Sequence, residues 1–264
     1  MKINKKIGNV ASIIHASIIF IFLYLPIIVV VAFSFNKSKI NIVFTGFTFE
    51  WYGKILKNTR LIDALENTVI VAIVSTLLAV IIGTLAAVGM NKYRFKGKKV
   101  VDALLYIPVV IPEIIFGIAL LALFSTAKLK LGLGSLIVAH TTFCIPFVVF
   151  TVRARLVGID PHIEEAAMDL GAKRIRTFFE VLLPSIMPGV VSGALLSMTI
   201  SMDDVIISFF TTGPQSTTLP IQIYSMVKSG ISPDVNALST IILIVTIVVV
   251  ILSQSRMLRN IKKK

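Results

Sequence analysis

The chain has 264 residues, of which 56% are hydrophobic and 15% are charged, and its formal net charge is +13. This composition, with a mean hydropathy of +0.94, is that of a polytopic membrane protein and favours a single membrane domain over residues 1–264. The positive residues cluster between apolar stretches, as they do in the cytoplasmic loops of membrane proteins, so nucleic-acid binding is not expected.

The first apolar stretch, residues 10–35, is too long for the core of a cleaved signal peptide and is predicted to be a retained membrane helix. Three lysines among the first six residues precede it and should hold the N-terminus in the cytoplasm. The polar segment 36–66 would then face outward. In it, Trp51 is predicted either to anchor the chain at the headgroup level or to guard the outer mouth of a cation path through a cation–π contact.

The second predicted span, residues 67–89, leads into a basic loop, residues 91–100, that belongs in the cytoplasm. The third predicted span, residues 100–124, contains Pro112 and Glu113. Pro112 lacks a backbone donor and should kink this helix. Glu113 places a carboxylate inside the bilayer, where an ionisable group is costly and usually faces a cavity or a partner.

The fourth predicted span, residues 137–157, contains Cys144, the only cysteine of the chain. A single cysteine allows neither an internal disulfide nor a thiolate metal cluster. The three histidines, His15, His140 and His162, are far apart in the sequence and form no metal-ligand spacing, so no metal is assigned to them.

A polar loop, residues 160–184, is part of the longest polar interval in the second half of the chain. Asp160 is a good N-cap and Pro161 fits the first helical position, so a short helix of about 15 Å is predicted over residues 161–170. Gly171 can adopt the left-handed conformation that ends this helix, and a second helical piece should run to the end of the loop. On periodicity alone, the loop is an ordinary cytoplasmic connector.

The fifth predicted span, residues 187–210, contains Ser201, Asp203 and Asp204, and the sixth covers residues 237–252. With these spans, the segments assigned to the cytoplasm hold more than twice as many lysines and arginines as the outer segments. The expected topology is six membrane helices with both termini in the cytoplasm.

Three acids of the third and fifth spans suggest a cation path. Counted from the cytoplasmic ends of their spans, Glu113 and Asp203 differ in depth by only about 4.5 Å. Asp203 and Asp204 project about 100° apart on a helix, so one can face a path while the other meets a neighbouring helix. A structural role for these carboxylates is the alternative, but three acids without a basic residue at their depth suit a passing cation. The predicted path residues are Glu113, Asp203, Asp204, Trp51 and Ser201.

Residues 160–184, named the coupling loop from here on, carry a recognisable pattern: Glu165-Ala166-Ala167, then Gly171, then Val181-x-Leu183-Pro184. This pattern resembles the EAA loop of ABC importer permeases, which usually has isoleucine at the position of Val181. The resemblance implies that residues 161–170 are the coupling helix, which docks into a groove on a separate ATPase subunit. It assigns ATPase coupling to Glu165, Ala166, Ala167, Gly171, Leu183 and Pro184.

Three further segments, residues 108–117, 201–205 and 218–240, are similar to C-type permease subunits of spermidine/putrescine importers. The resemblance covers nearly the whole chain. It implies the all-α, six-helix fold of type I importer permeases in the bacterial inner membrane, and polyamine import by alternating access. It also implies a heterodimer with a sister permease, two ATP-binding subunits and an external polyamine-binding protein.

No phosphate-binding loop of the G-x-x-x-x-G-K-[ST] kind occurs in the chain. The chain is therefore expected to be a permease without enzymatic activity or cofactor, with ATP and Mg²⁺ bound by the partner ATPase. Two alternatives remain open: the same architecture with another small solute as cargo, or an ion-driven carrier or intramembrane enzyme that works alone. A carrier that works alone would need internal repeats with broken helices, and an intramembrane enzyme would need a catalytic set of residues. The sequence shows neither clearly.

Overall fold

The computed structural model describes residues 2–38, 43–160, 162–228 and 233–261, and this part of the chain is helical. An isolated bridge between Asn36 and Phe47 is the only β-pairing within those ranges. The predicted all-α class is therefore confirmed. The helices are α1 (Lys2–Phe33), α2 (Glu50–Ile55), α3 (Thr59–Lys92), α4 (Lys98–Val110), α5 (Glu113–Thr126), α6 (Leu133–Leu156), α7 (His162–Asp169), α8 (Arg174–Thr177), α9 (Leu183–Asp203), α10 (Ile206–Thr211), α11 (Leu219–Lys228) and α12 (Pro233–Ile261), and a π-helical turn (Phe178–Leu182) joins α8 to α9.

Four helical stretches among the described residues are long and apolar enough to cross a membrane: Ser12–Phe33 of α1, α3, α6 and the continuous stretch Arg174–Asp203. A fifth is obtained if α4 and α5 are counted as one span. The apolar part of α12, Pro233–Val248, is shorter than the roughly 20 residues that a bilayer core requires. The count of six spans stays a prediction.

The stretch predicted as the third span is divided in the structure, because α4 and α5 turn by 114° at the break between them. Ile111, at this break, is extended (φ −72°, ψ 136°), as a residue before proline prefers. Pro112 has no amide to continue the hydrogen bonds of α4, and its carbonyl accepts from Ile115 and Phe116 in the first turn of α5. The expected kink is thus a complete break.

The second helical piece of the coupling loop does not end at Pro184. Helix continues from Arg174 to Asp203 through the π-helical turn. Pro184 lies in the first turn of α9, directly after that turn, whose wider spacing leaves room for the proline ring. At its other end α9 stops at Asp203 and α10 begins at Ile206, so the predicted fifth span also contains a break.

The chain divides into two compact units, residues 1–59 with 223–264, and residues 60–222. In the first unit α12 packs against α1 and α2. The segment between α1 and α2 carries an aromatic cluster, in which Phe35 stacks on Phe47 with 4.9 Å between the ring centroids. The hydroxyl groups of Ser34 and Tyr52 are 2.7 Å apart, and their hydrogen bond ties α2 to the end of α1.

The core of the second unit lies where α6 packs against α9, with further apolar residues from α3. The two helices approach closely because α9 has no side chain at Gly193. A Cβ atom at this position would lie 2.5 Å from Oγ1 of Thr151 and 3.1 Å from Cα of Val148 on α6. Small residues therefore set the distance between the two central helices.

A second apolar cluster of the same unit holds the broken helices in place. Leu120 and Phe124 of α5 pack with Phe143 of α6 and Ile207 of α10. Because α5 and α10 follow the two helix breaks directly, this cluster fixes the position of the polar residues at both breaks.

Candidate functional site

Asp204 lies in the break between α9 and α10, and its side chain is only 5% exposed. Its carboxylate accepts from the amides of Ile207 at 3.1 Å and Ser208 at 2.7 Å, so it caps the first turn of α10. Oδ2 also lies 3.5 Å from Nε2 of His140 on α6. A carboxylate can be buried here because backbone donors and an imidazole face it.

His140, which is 2% exposed, is the centre of a buried polar network. Nδ1 lies 2.7 Å from Oγ of Ser201, and Nε2 lies 2.9 Å from Oγ of Ser208. Oγ of Ser201 is in turn 3.2 Å from Oγ of Ser75 on α3. This His140 network joins α3, α6, α9 and α10 at the helix break.

The carboxylate of Asp204 selects the tautomer of His140, because a lone pair on Nε2 would face a negatively charged oxygen. Nε2 therefore carries the proton and donates to Ser208, while Nδ1 accepts from the hydroxyl of Ser201. Because the Ser201 proton is used on Nδ1, only Ser75 can donate in the 3.2 Å contact between the two hydroxyls, and its single proton is shared with the carbonyl of Ala72 at 3.4 Å. Sequence reasoning considered His140 only as a metal ligand and missed this role, although a histidine inside an apolar span was an available signal.

Glu113 is exposed in the first turn of α5 and interacts electrostatically with Asp204. Close packing of α5 on α10 brings these acids together, since a Cβ atom on Gly117 would lie 2.7 Å from Cδ2 of Phe210. The structure therefore brings Glu113 and Asp204, at the two helix breaks, into one negatively charged region.

The other predicted path residues of α9 have different surroundings. Asp203 is exposed at the C-terminal end of α9, whereas Ser201 is 4% exposed and directs its hydroxyl into the His140 network. Asp203 is thus open and Asp204 buried, but not because of an angular separation on one helix: α9 ends at Asp203, and Asp204 is extended (φ −69°, ψ 126°) in the break. In the described ranges, no three His, Cys, Asp or Glu side chains are grouped as metal ligands would be.

Trp51 belongs to the first unit and is 7% exposed. Its Nε1 donates to the carbonyl of Asn36 at 2.7 Å, which holds the indole in a fixed orientation. Nζ of Lys54 lies 4.5 Å from the ring centroid, so the ring already contacts a cation of its own helix. The two interpretations of Trp51, as anchor and as gate, both stay predictions.

The coupling loop contains the predicted short helix as α7. The amide of His162 donates to Oδ1 of Asp160 at 3.0 Å, which is the expected N-cap, and Gly171 has the expected left-handed conformation with a φ of +89°. Pro161 lies outside the described residues. Nδ1 of His162 lies 3.1 Å from Oε2 of Glu165, and this hydrogen bond, together with the charge of Asp160, raises the pKa of the exposed imidazole.

Helix α7 and the residue that follows it present exposed apolar side chains, among them Ala166, one of the residues assigned to ATPase coupling. Ala166 is exposed beside Ile163, and Leu170 is 91% exposed. An open apolar face on a short helix is suited to docking against another chain. The other assigned residues are exposed (Glu165, Gly171 and Pro184) or half-buried (Ala167 and Leu183).

An ion pair connects α7 to the C-terminal end of α3. Nζ of Lys92 contacts Oε2 of Glu164, the residue directly before the Glu165-Ala166-Ala167 sequence. Ser75, in the middle of α3, belongs to the His140 network, so the same helix contacts both this network and, through Lys92 at its C-terminal end, α7.

Residues 79–264 match the family model described as binding-protein-dependent transport system inner membrane component. The chain is 46% identical over 219 residues to PotC, the spermidine/putrescine transport system permease protein of Escherichia coli K12, and the match covers 83% of each chain. It is 38% identical over 215 residues to PotI, the putrescine transport system permease protein of the same organism, with 79% of this chain and 76% of PotI covered.

The fold is similar to that of a chain in the crystal structure of a bacterial ABC transporter involved in the import of the acidic polysaccharide alginate. The TM-score is 0.76, the sequence identity is 16%, and the match covers 96% of this chain and 97% of that chain. At this identity the likeness concerns the fold alone. The predicted fold of an ABC importer permease is thereby confirmed.

Proposed function

Since this chain belongs to the family of binding-protein-dependent transport system inner membrane components, we propose that it is the permease subunit of an ATP-driven importer that carries polyamines into the cytoplasm. The observation that carries the proposal is the 46% identity, over 83% of the chain, to a spermidine/putrescine permease. The negatively charged region formed by the two helix breaks supports the same class of cargo.

A polyamine is a flexible aliphatic chain with several ammonium groups, so it needs spaced carboxylates and no single site that holds it too tightly to leave. Glu113 and Asp203 are exposed and are assigned to cargo contact. Asp204 adds negative potential beside Glu113 while the His140 network holds it in place. Ser201 acts through that network, and Trp51 stays a predicted path residue of the first unit, where its ring is 7% exposed.

The energy for import would come from partner chains. In this proposal α7 docks on one of two ATP-binding subunits, which bind ATP and Mg²⁺, and transmits their closure to the membrane helices. A sister permease and an external polyamine-binding protein complete the complex, and both termini of this chain lie in the cytoplasm. The open apolar face of α7 and its ion pair with α3 support this coupling role.

The test is uptake of labelled spermidine and putrescine by cells that lack their own polyamine importers. The cells receive the neighbouring genes with or without the gene for this chain. We expect uptake that requires the chain and stops when ATP is depleted. Uptake that continues without ATP would indicate an ion-driven carrier, and absence of uptake by an assembled complex would indicate another cargo.

The same assay tests the assigned carboxylates. Glu113→Gln and Asp203→Asn should each reduce polyamine uptake roughly tenfold, because each removes one charge interaction worth about 1.4 kcal/mol. Glu66→Gln and Asp63→Asn remove the same groups from other exposed positions and should leave uptake unchanged. Normal uptake in both path variants would contradict the site assignment while leaving the importer assignment untouched.

A further inference from the structure

The basic elbow, residues 93–100, consists of the loop between α3 and α4 and the first residues of α4. It contains Arg94, Lys96, Lys98 and Lys99 and no acid. Lys98 is half-buried and the other three cations are exposed. Four positive charges within one short loop repel one another unless negative groups compensate them.

The acids nearest to the basic elbow are engaged with other cations. Oδ1 of Asp102 lies 2.7 Å from Nη1 of Arg153 on α6, and Glu164 is paired with Lys92. Among the residues that the structure describes, none of the four cations of the elbow forms an ion pair. The elbow therefore presents an uncompensated positive charge.

A cavity of about 570 Å³ opens at the basic elbow, lined by Arg94, Lys98 and Lys99 and by Asp102, whose charge is compensated by Arg153. Phe95 and Val100 also line it and are 44% and 62% exposed. The cavity thus places several cations beside an apolar surface. Such a combination suits a ligand that has a phosphate group next to hydrocarbon.

The elbow lies where a membrane helix ends. α3 is long and apolar enough to cross a membrane and ends at Lys92, immediately before the elbow. Tyr93, the first residue of the elbow, is 57% exposed, and an exposed tyrosine at a helix end is typical of the headgroup level. Basic clusters at this depth attract anionic lipids.

We propose that the basic elbow is a binding site for an anionic phospholipid of the inner leaflet. Arg94, Lys98 and Lys99 surround the headgroup phosphate, and Phe95 and Val100 contact the glycerol and the upper part of an acyl chain. A free phosphate is at least as negatively charged but has nothing to place against the apolar residues, so a lipid is the better fit.

The experiment measures lipid binding by the membrane complex that this chain forms when it is co-expressed with its neighbouring genes. The complex is placed in phosphatidylcholine nanodiscs with increasing fractions of phosphatidylglycerol, and bound phosphatidylglycerol is counted by native mass spectrometry. The triple variant Arg94→Gln, Lys98→Gln, Lys99→Gln should bind phosphatidylglycerol about a hundredfold more weakly at this site. The matched control Lys57→Gln, Lys128→Gln, Lys130→Gln removes three exposed cations elsewhere and should bind it normally.

Three outcomes would overturn the proposal. The first is equal phosphatidylglycerol binding by the elbow variant and the matched control. The second is binding of soluble glycerol phosphate, in discs of phosphatidylcholine alone, as tightly as phosphatidylglycerol, which would make the elbow a site for free phosphates. The third is loss of a partner subunit from the elbow variant with an unchanged lipid count, which would identify a subunit interface. None of these readouts depends on which solute is transported.

Discussion

At the scale of single residues, His140 has the most demanding position in the chain. Both ring nitrogens have partners at 2.7 and 2.9 Å, and the imidazole also faces the buried carboxylate of Asp204. The position therefore requires a side chain that donates on one side and accepts on the other. The position of the α9–α10 break therefore depends on this side chain.

We predict that His140→Phe destabilises the protein. The substitution keeps the approximate volume but leaves the hydroxyls of Ser201 and Ser208 buried without their partner, at a cost of about 1–3 kcal/mol for each stranded group. The midpoint of thermal unfolding of the purified protein should fall. His15→Phe makes the same change at an exposed position and should leave the midpoint unchanged; equal midpoints for the two variants would contradict the role of the network.

Some of these residue positions can be predicted from the local sequence, and others cannot. The cap at Asp160 and the left-handed Gly171 follow from local rules, and the structure has both; the different surroundings of Asp203 and Asp204 come from the helix break after Asp203, which those rules do not contain. The partners of His140 do not follow from local rules either, because Ser201 and Ser208 are 61 and 68 residues away along the chain. Only the packing of α6 against α9 and α10 brings these groups together.

At the scale of elements, close helix packing in the second unit depends on positions without a side chain. Gly193 allows α9 to approach Val148 and Thr151 of α6. Gly89, in α3, has no atom within 4 Å of the place that a Cβ would occupy. A methyl group would therefore clash at Gly193, whereas it would find open space at Gly89.

We predict opposite effects for alanine at these two glycines. Gly193→Ala should destabilise the protein by about 1–3 kcal/mol, because the helices must separate to admit the methyl group. Gly89→Ala should stabilise it by about 0.5–1 kcal/mol, because alanine favours the helical backbone and meets no neighbour. Thermal unfolding of the two variants measures both effects, and a destabilisation by Gly89→Ala as large as that by Gly193→Ala would show that the packing argument is wrong.

Helix breaks mark the limit of sequence reasoning at this scale. Pro112 predicts a disturbed helix, but a proline alone does not determine whether the chain kinks or turns by 114°. Pro184 predicts an end, yet the π-helical turn before it lets the helix continue. In both cases, contacts with distant elements decide the outcome, which a local pattern does not contain.

At the scale of the whole molecule, composition predicts a helical membrane protein, and the resemblance of residues 160–184 to the EAA loop indicates the importer permease class; both predictions are confirmed. The division into two compact units was not predicted, because the first unit joins the beginning of the chain to its end. Such a division arises from contacts between distant segments and leaves no local mark in the sequence.

The predicted orientation can be tested with one cysteine at a time. We expect a membrane-impermeant maleimide to label Lys128→Cys in intact cells and Lys173→Cys only after the membrane is opened, because these exposed lysines lie in loops assigned to opposite sides. The wild-type chain is the blank, since its only thiol, Cys144, is 0% exposed. Labelling of Lys173→Cys in intact cells would contradict the topology.

The His140 network also has a consequence for the order in which the chain is made. Ser75 and His140 leave the ribosome long before Ser201 and Ser208, so α3 and α6 enter the bilayer with their polar groups still unpaired. The network closes only after residue 208 has been synthesised and inserted. A nascent chain halted before that point exposes an unsatisfied imidazole to lipid, and this is a feature by which membrane quality control can recognise an unfinished copy.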